Sequence, residues 1–106
     1  LGGASARVPA DATAYGHREA AIMVNLAAFW TTPEDQAKQQ AWVDRFRADL
    51  TQQTQGAYVN FLMAEGHERI RSAYPGAIWD RLRLVKRQYD PTNLFRLNQN
   101  IAPADA

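Results

Sequence analysis

Ala21-Ile22-Met23-Val24-Asn25-Leu26-Ala27-Ala28-Phe29-Trp30 is the stretch on which the reading of the fold class turns. At a period of two, Ile22, Val24, Leu26, Ala28 and Trp30 share one face, and Met23, Asn25, Ala27 and Phe29 share the other. Both faces are mostly apolar, which is the pattern of a strand covered on both sides. Toward the N-terminus, Leu1 to Tyr15 mixes glycines and small residues with one extended piece, Ser5 to Val8. It reads as a loop with a short edge strand, because Pro9 lacks the N–H that a central strand needs.

Toward the C-terminus, Thr31-Thr32-Pro33-Glu34-Asp35 is a helix start. Thr32 can cap, proline fits the first helical position, and the two acids favour the positive end of the helix dipole. The helix is expected to run to about Thr51, with Trp42, Phe46 and Leu50 in one apolar stripe beside Val43. Thr51 to Gly56 reads as a polar connector. Ala57 to Met63 alternates as a second strand, with Tyr58, Asn60 and Leu62 on one face and Val59, Phe61 and Met63 on the other. A short helix follows over Glu65 to Tyr74, broken by Pro75-Gly76. A longer one runs from Ala77 to Tyr89, striped by Ile78, Leu82, Val85 and Tyr89 and decorated by Arg81, Arg83, Lys86 and Arg87. Asp90-Pro91-Thr92-Asn93 stops it in a turn. The expected class is α+β: a small, mainly antiparallel sheet with packed helices.

Composition narrows the chemistry. The chain has 106 residues, 46% hydrophobic and 22% charged, enough for one modest core. Having no cysteine, it has no disulfide scaffold, no thiolate zinc site and no cysteine nucleophile. A net charge of +1 offers no field for nucleic acid or an anionic membrane, so neither is an expected partner. The apolar run Ala20 to Trp30 is far shorter than the ~20 residues a spanning helix needs. A first residue of Leu1 rather than Met is what a processed or truncated product gives.

Chemistry-bearing patterns are few. His17 and His67 have no partner at metal-ligand spacing, so no metal site is expected. Ser5 and Ser72 lack a nucleophile-elbow context. The arginines from Arg69 to Arg87 read as a solvated helix face. Tyr58 and Asn60, two residues apart on an expected strand, offer a phenol and an amide on one side. They suit one ligand, or simply a half-exposed sheet face. Asn98-Gln99-Asn100 is suited to satisfying backbone groups where a terminal strand docks.

Tyr58-Val59-Asn60-Phe61-Leu62, Tyr74, Trp79-Asp80-Arg81-Leu82, Leu84-Val85-Lys86 and the run Tyr89 to Ile101 (YDPTNLFRLNQNI) closely resemble the C-terminal segment of the berberine bridge enzyme-like FAD-linked oxidases. Gly2-Gly3, Val8-Pro9, Asp11 to Tyr15, His17-Arg18 and Trp30 resemble the end of that family's substrate domain. The resemblance implies that residues 1–56 end a substrate-binding α+β domain and that residues 57–106 form the C-terminal segment. The partner it implies is an N-terminal FAD-binding domain, the cofactor FAD, and the chemistry hydride transfer from an alcohol, amine or C–H bond of a small-molecule substrate. By the same resemblance Tyr58 and Asn60 approach the flavin ring, and any catalytic base is either Tyr58, the candidate catalytic residue here, or a residue in the part of the parent that this chain lacks. Several plant members have a tyrosine base at the position of Phe61 and a carboxylate on the strand matching Ile22 to Ala28; this sequence has neither, so that proton-abstraction machinery does not carry over. The chain alone is expected not to hold FAD tightly. The rival expectation is a stand-alone, non-catalytic module that self-associates, a homodimer for instance.

Overall fold

The computed structural model describes residues 1–50 and 56–105; the expected helix end at Thr51 and most of the connector from Thr51 to Gly56 lie outside them. Among the described residues three α-helices order the chain: α1, Pro33–Leu50; α2, His67–Ser72; and α3, Ala77–Tyr89. Single 3-10 turns occur at Ser5–Arg7 and Val59–Phe61. Among the described residues there is no strand. The expected α+β class with its small antiparallel sheet is therefore wrong, and so are all three expected strands. Ser5 to Val8 is mostly a 3-10 turn, Ala21 to Trp30 forms no regular element, and Ala57 to Met63 folds around a 3-10 turn. The reason is physical. Alternation makes a segment fit for a sheet, but a strand exists only when a neighbour supplies its hydrogen-bond partners. With the second candidate coiled, the first has no ladder to join, and Ile22 and Phe29 stand 80% and 89% exposed.

The helices follow their local signals. Thr32 caps α1, its Oγ1 accepting from the Asp35 amide at 3.2 Å, and Pro33 is the first helical residue. Gly66, at φ 89°, and Gly76, at φ 57°, turn the chain into α2 and α3 through backbone angles that side chains disfavour. The expected second helix shrinks from Glu65–Tyr74 to His67–Ser72, whereas α3 has the expected bounds. At its end Asp90 is non-helical (φ −145°, ψ 63°), as a residue before proline prefers, and Asn93 N donates to Asp90 O at 3.0 Å to close the turn.

The chain divides into two units: Leu1–Ile22 with Gly56–Ala106, and Met23–Gln55. In the second, Trp42 and Phe46 stack with centroids 5.5 Å apart, and α1 has no buried residue. The apolar stripe of α1 thus lies open.

The first unit holds all the buried apolar residues described: Ala57, Leu62, Ala73, Ile78 and Trp79. Val59, Ile70 and Tyr74 pack on the cluster of Ala57, Leu62 and Ala73. His67 meets Trp79 edge-on at 5.4 Å, and the Arg71 guanidinium lies 5.3 Å from the centre of the same indole. The α3 stripe is buried only at its start: Ile78 is covered, while Val85 and Tyr89 are exposed.

Polar side chains do much of the joining. Arg81 donates to the carbonyls of Asp11 and Ala12 at 3.1 and 3.2 Å. Arg83 reaches Pro103 O at 3.4 Å, Arg87 reaches Asp105 O, and Ala104 N returns a bond to Arg83 O at 3.1 Å. These arginines, expected as a solvated face, tie the N-terminal loop and the tail to α3. His17 Nε2 lies 3.0 Å from the carbonyl of Ser72, the last residue of α2, so the proton is on Nε2 and the ring caps the helix. The same ring leaves no room at Gly56, where a Cβ would sit 2.6 Å from His17 Cε1 and 2.7 Å from Nδ1.

Lys86 Nζ donates to Asp90 Oδ2 at 2.5 Å and to Phe95 O at 2.6 Å, and Asp90 accepts from the amides of Leu94 and Phe95. The Lys86 hydrogen bond, with the two amide bonds, holds the Asp90 carboxyl below its ordinary 3.8.

Two predictions follow from these anchors. Because the folded state ionises Asp90 more readily than the unfolded chain, its contribution is complete above the ordinary carboxylate range and is lost as pH falls through the lowered value. Melting curves from pH 6 down to pH 2 should thus show wild type and Asp90→Asn converging at the acid end. Gly56→Ala should push the His17 ring off Ser72 and lower the melting temperature, and His17→Ala in that background should cost less than it does alone. Equal losses in both backgrounds would refute the clash.

Candidate functional site

The expected site residues lie in the first unit, on the 3-10 turn Val59–Phe61 and the residue before it. The turn is closed by Phe61 N to Tyr58 O at 2.9 Å and Leu62 N to Val59 O at 3.1 Å. At three residues per turn, Tyr58 and Phe61 fall on one side, and their rings meet edge-on at 5.4 Å. Leu62, expected on the face of Tyr58 and Asn60, is instead buried in the core. Val59 also turns inward, half-buried against that cluster.

Tyr58 and Asn60 nonetheless come together. Asn60 Nδ2 donates to Tyr58 Oη at 2.8 Å, and both residues are exposed. The bond occupies an acceptor position of the phenol and leaves its proton free to be donated outward. Asn60 retains its carbonyl oxygen and a second N–H. A phenol and an amide, joined to each other and open to solvent, form a compact hydrogen-bonding edge.

Two supports were not singled out as site residues from the sequence. Tyr15 meets the Tyr58 ring edge-on at 6.0 Å, and Arg18 lies 5.4 Å from the centre of the Tyr15 ring. Arg18 is itself held by Ser5 O at 3.1 Å and Thr13 Oγ1 at 2.5 Å. From the tail, Gln99 Nε2 donates to Leu62 O at 2.6 Å across 37 positions of sequence. Gln99 thus satisfies a backbone carbonyl as expected of the amide run, but the terminal strand expected there does not form. The only available signal for Tyr15 was its ring, because nothing local links it to Tyr58.

The histidines are structural: His17 caps α2 and His67 abuts Trp79. Among the described residues no group of three or more His, Cys, Asp or Glu could hold a metal. No helix among them is long and apolar enough to cross a membrane. Burial pushes the Tyr74 phenol above its ordinary value, and that ring packs on the core cluster. In the second unit a shallow hollow is lined by Ala27, Ala28, Phe29, Lys38, Gln39 and Trp42, with Lys38 its one charged group.

The family described as "Berberine and berberine like" matches residues 57–102, which contain the turn, α2, α3 and the tail. The chain is 40% identical over 103 residues to the uncharacterized FAD-linked oxidoreductase YgaK of Bacillus subtilis (strain 168), and 36% identical to YvdP of the same organism. Each alignment covers 97% of this chain and 23% of the relative. Over 105 residues it is 38% identical to the FAD-linked oxidoreductase OXR1 of Pyricularia oryzae, covering 20% of that protein. The chain therefore spans about a quarter of the length of the relatives it matches.

The two sides of the turn should respond differently to substitution. Tyr58→Phe removes one exposed hydroxyl and should change stability by under about 1 kcal/mol. Val59→Ala opens space beside the core and should cost about 1–3 kcal/mol. Chemical denaturation of both variants gives the comparison; the reverse order would make Tyr58 the core residue.

Proposed function

Residues 57–102 match the berberine and berberine-like family, and on that premise we propose that the chain is part of an FAD-linked oxidoreductase of that family in which Tyr58 and Asn60 face the flavin ring. Residues 1–56 are then the end of the substrate domain and residues 57–106 the C-terminal segment, with an FAD-binding domain as their partner. The observation that carries the reading is the bond of Asn60 Nδ2 to Tyr58 Oη at 2.8 Å on an exposed turn inside the matched segment.

The donor set fits such a cofactor. A conjugated ring with polar edge atoms accepts hydrogen bonds at its rim and packs against aromatic edges. The turn offers an amide N–H and carbonyl, a phenol proton and the rings of Tyr58 and Phe61. When bound, FAD supplies the acceptor for a hydride taken from an alcohol, amine or C–H bond.

The chain's own contribution is position and proton control. Asn60 orients the phenol by donating to Oη, and Tyr58 keeps its proton directed outward, where it can bond to the substrate or exchange a proton with it. The same amide donation stabilises negative charge that gathers on Oη as a proton leaves. Phe61, beside them, has no proton to exchange and serves as a wall.

Turnover by the flavin-loaded full-length parent tests this reading. Tyr58→Phe should lower kcat roughly 10- to 1000-fold, the range of a lost proton-transfer group, with the melting temperature little changed. Unchanged turnover would remove Tyr58 from the chemistry.

A further inference from the structure

The turn that carries Tyr58 and Asn60 is short and exposed, so something must fix its direction. Its own two bonds, Phe61 N to Tyr58 O and Leu62 N to Val59 O, close it but do not orient it toward the rest of the unit. Val59 on the core cluster and Tyr15 against the Tyr58 ring contribute, and two further contacts act on Leu62, the residue that ends the turn. Its side chain is buried with Ala57 and Ala73. Its carbonyl accepts from Gln99 Nε2 at 2.6 Å.

The two contacts differ in kind. An aliphatic side chain in a small cluster is held by shape, and it allows the backbone to rotate about it. A short, part-buried hydrogen bond on the carbonyl fixes the plane of the peptide that leaves the turn, and with it the direction of the turn. Gln99 is backed in its turn by the loop around it: Asn98 is left-handed (φ 59°), and Asn100 N donates to Asn98 O at 3.0 Å. The glutamine is thus presented from a bent, bonded loop.

We propose that Gln99 is a positioning residue for the Tyr58–Asn60 pair, acting through the Leu62 carbonyl. The inference rests on the reading of Tyr58 and Asn60 as flavin-facing. It adds that the tail sets their direction, so that the site is completed by residues some 40 positions downstream.

A double-mutant cycle in the flavin-loaded full-length parent tests it, read by turnover and by the visible absorption of the bound flavin. Gln99→Met keeps the side chain's length and removes the donor. It should lower turnover roughly 10- to 100-fold, the scale of a displaced catalytic group, and shift the flavin absorption. Gln99→Lys, which can still donate to the carbonyl, should recover most of both. In a Tyr58→Phe, Asn60→Ala background, Gln99→Met should add almost nothing. Should Gln99→Met fail to fold, Gln99→Glu replaces it, because an ionised carboxylate cannot donate to Leu62 O. A loss that multiplies with the Tyr58 and Asn60 losses, or a lowered melting temperature with unmoved absorption, overturns the proposal. If Tyr58→Phe and Asn60→Ala themselves move neither readout, the flavin-facing reading fails and this inference falls with it. If they move both while Gln99→Met moves neither, this inference alone fails.

Discussion

Among the described residues, five apolar ones, Ala57, Leu62, Ala73, Ile78 and Trp79, make up the buried interior of the first unit, and none of them is completely enclosed. Burial on that scale cannot by itself hold the N-terminal loop, the turn, α3 and the tail in one arrangement. Side-chain donors gripping distant backbone carbonyls do the remainder. His17 holds Ser72, Arg81 holds Asp11 and Ala12, Arg83 holds Pro103, and Gln99 holds Leu62. Each such bond adds only about 1 kcal/mol net, somewhat more where the donor is charged, yet each fixes a direction that apolar contact leaves free.

Local signals in the sequence were legible and distant ones were not. Thr32-Pro33 before α1, Gly76 before α3 and Asp90-Pro91 after it act within a few residues, and the helices begin or end where they direct. The strands could not be decided this way. A period of two states what a segment could bury in a sheet; whether a sheet forms depends on a partner elsewhere. Ala57 to Met63 met the alternation and coiled into a 3-10 turn.

The candidate site had a mixed fate for the same reason. Tyr58 and Asn60 were expected together because alternate strand residues share a face. They are together because the amide of one bonds the phenol of the other across a tight turn, while Leu62, expected with them, is buried. The resemblance to the FAD-linked oxidases identified the segment correctly and the secondary structure around it did not follow. Tyr15 and Gln99 are contacts made across the fold, and no spacing in the sequence could pair them with Tyr58 and Leu62.

The carbonyl-directed arginines of α3 place an unequal demand on the two ends of each contact. A backbone carbonyl is present whatever the side chain, so the residues at Asp11, Ala12 and Pro103 can vary in kind without removing the acceptor. The donors have no such latitude. A forked, planar guanidinium at position 81 reaches two successive carbonyls at once, which a lysine's single ammonium does with poorer geometry. Sequence drift should therefore be permissive in the loop and tail and narrow along α3, so that the loops can be rewritten for new surroundings without loosening the scaffold that holds them.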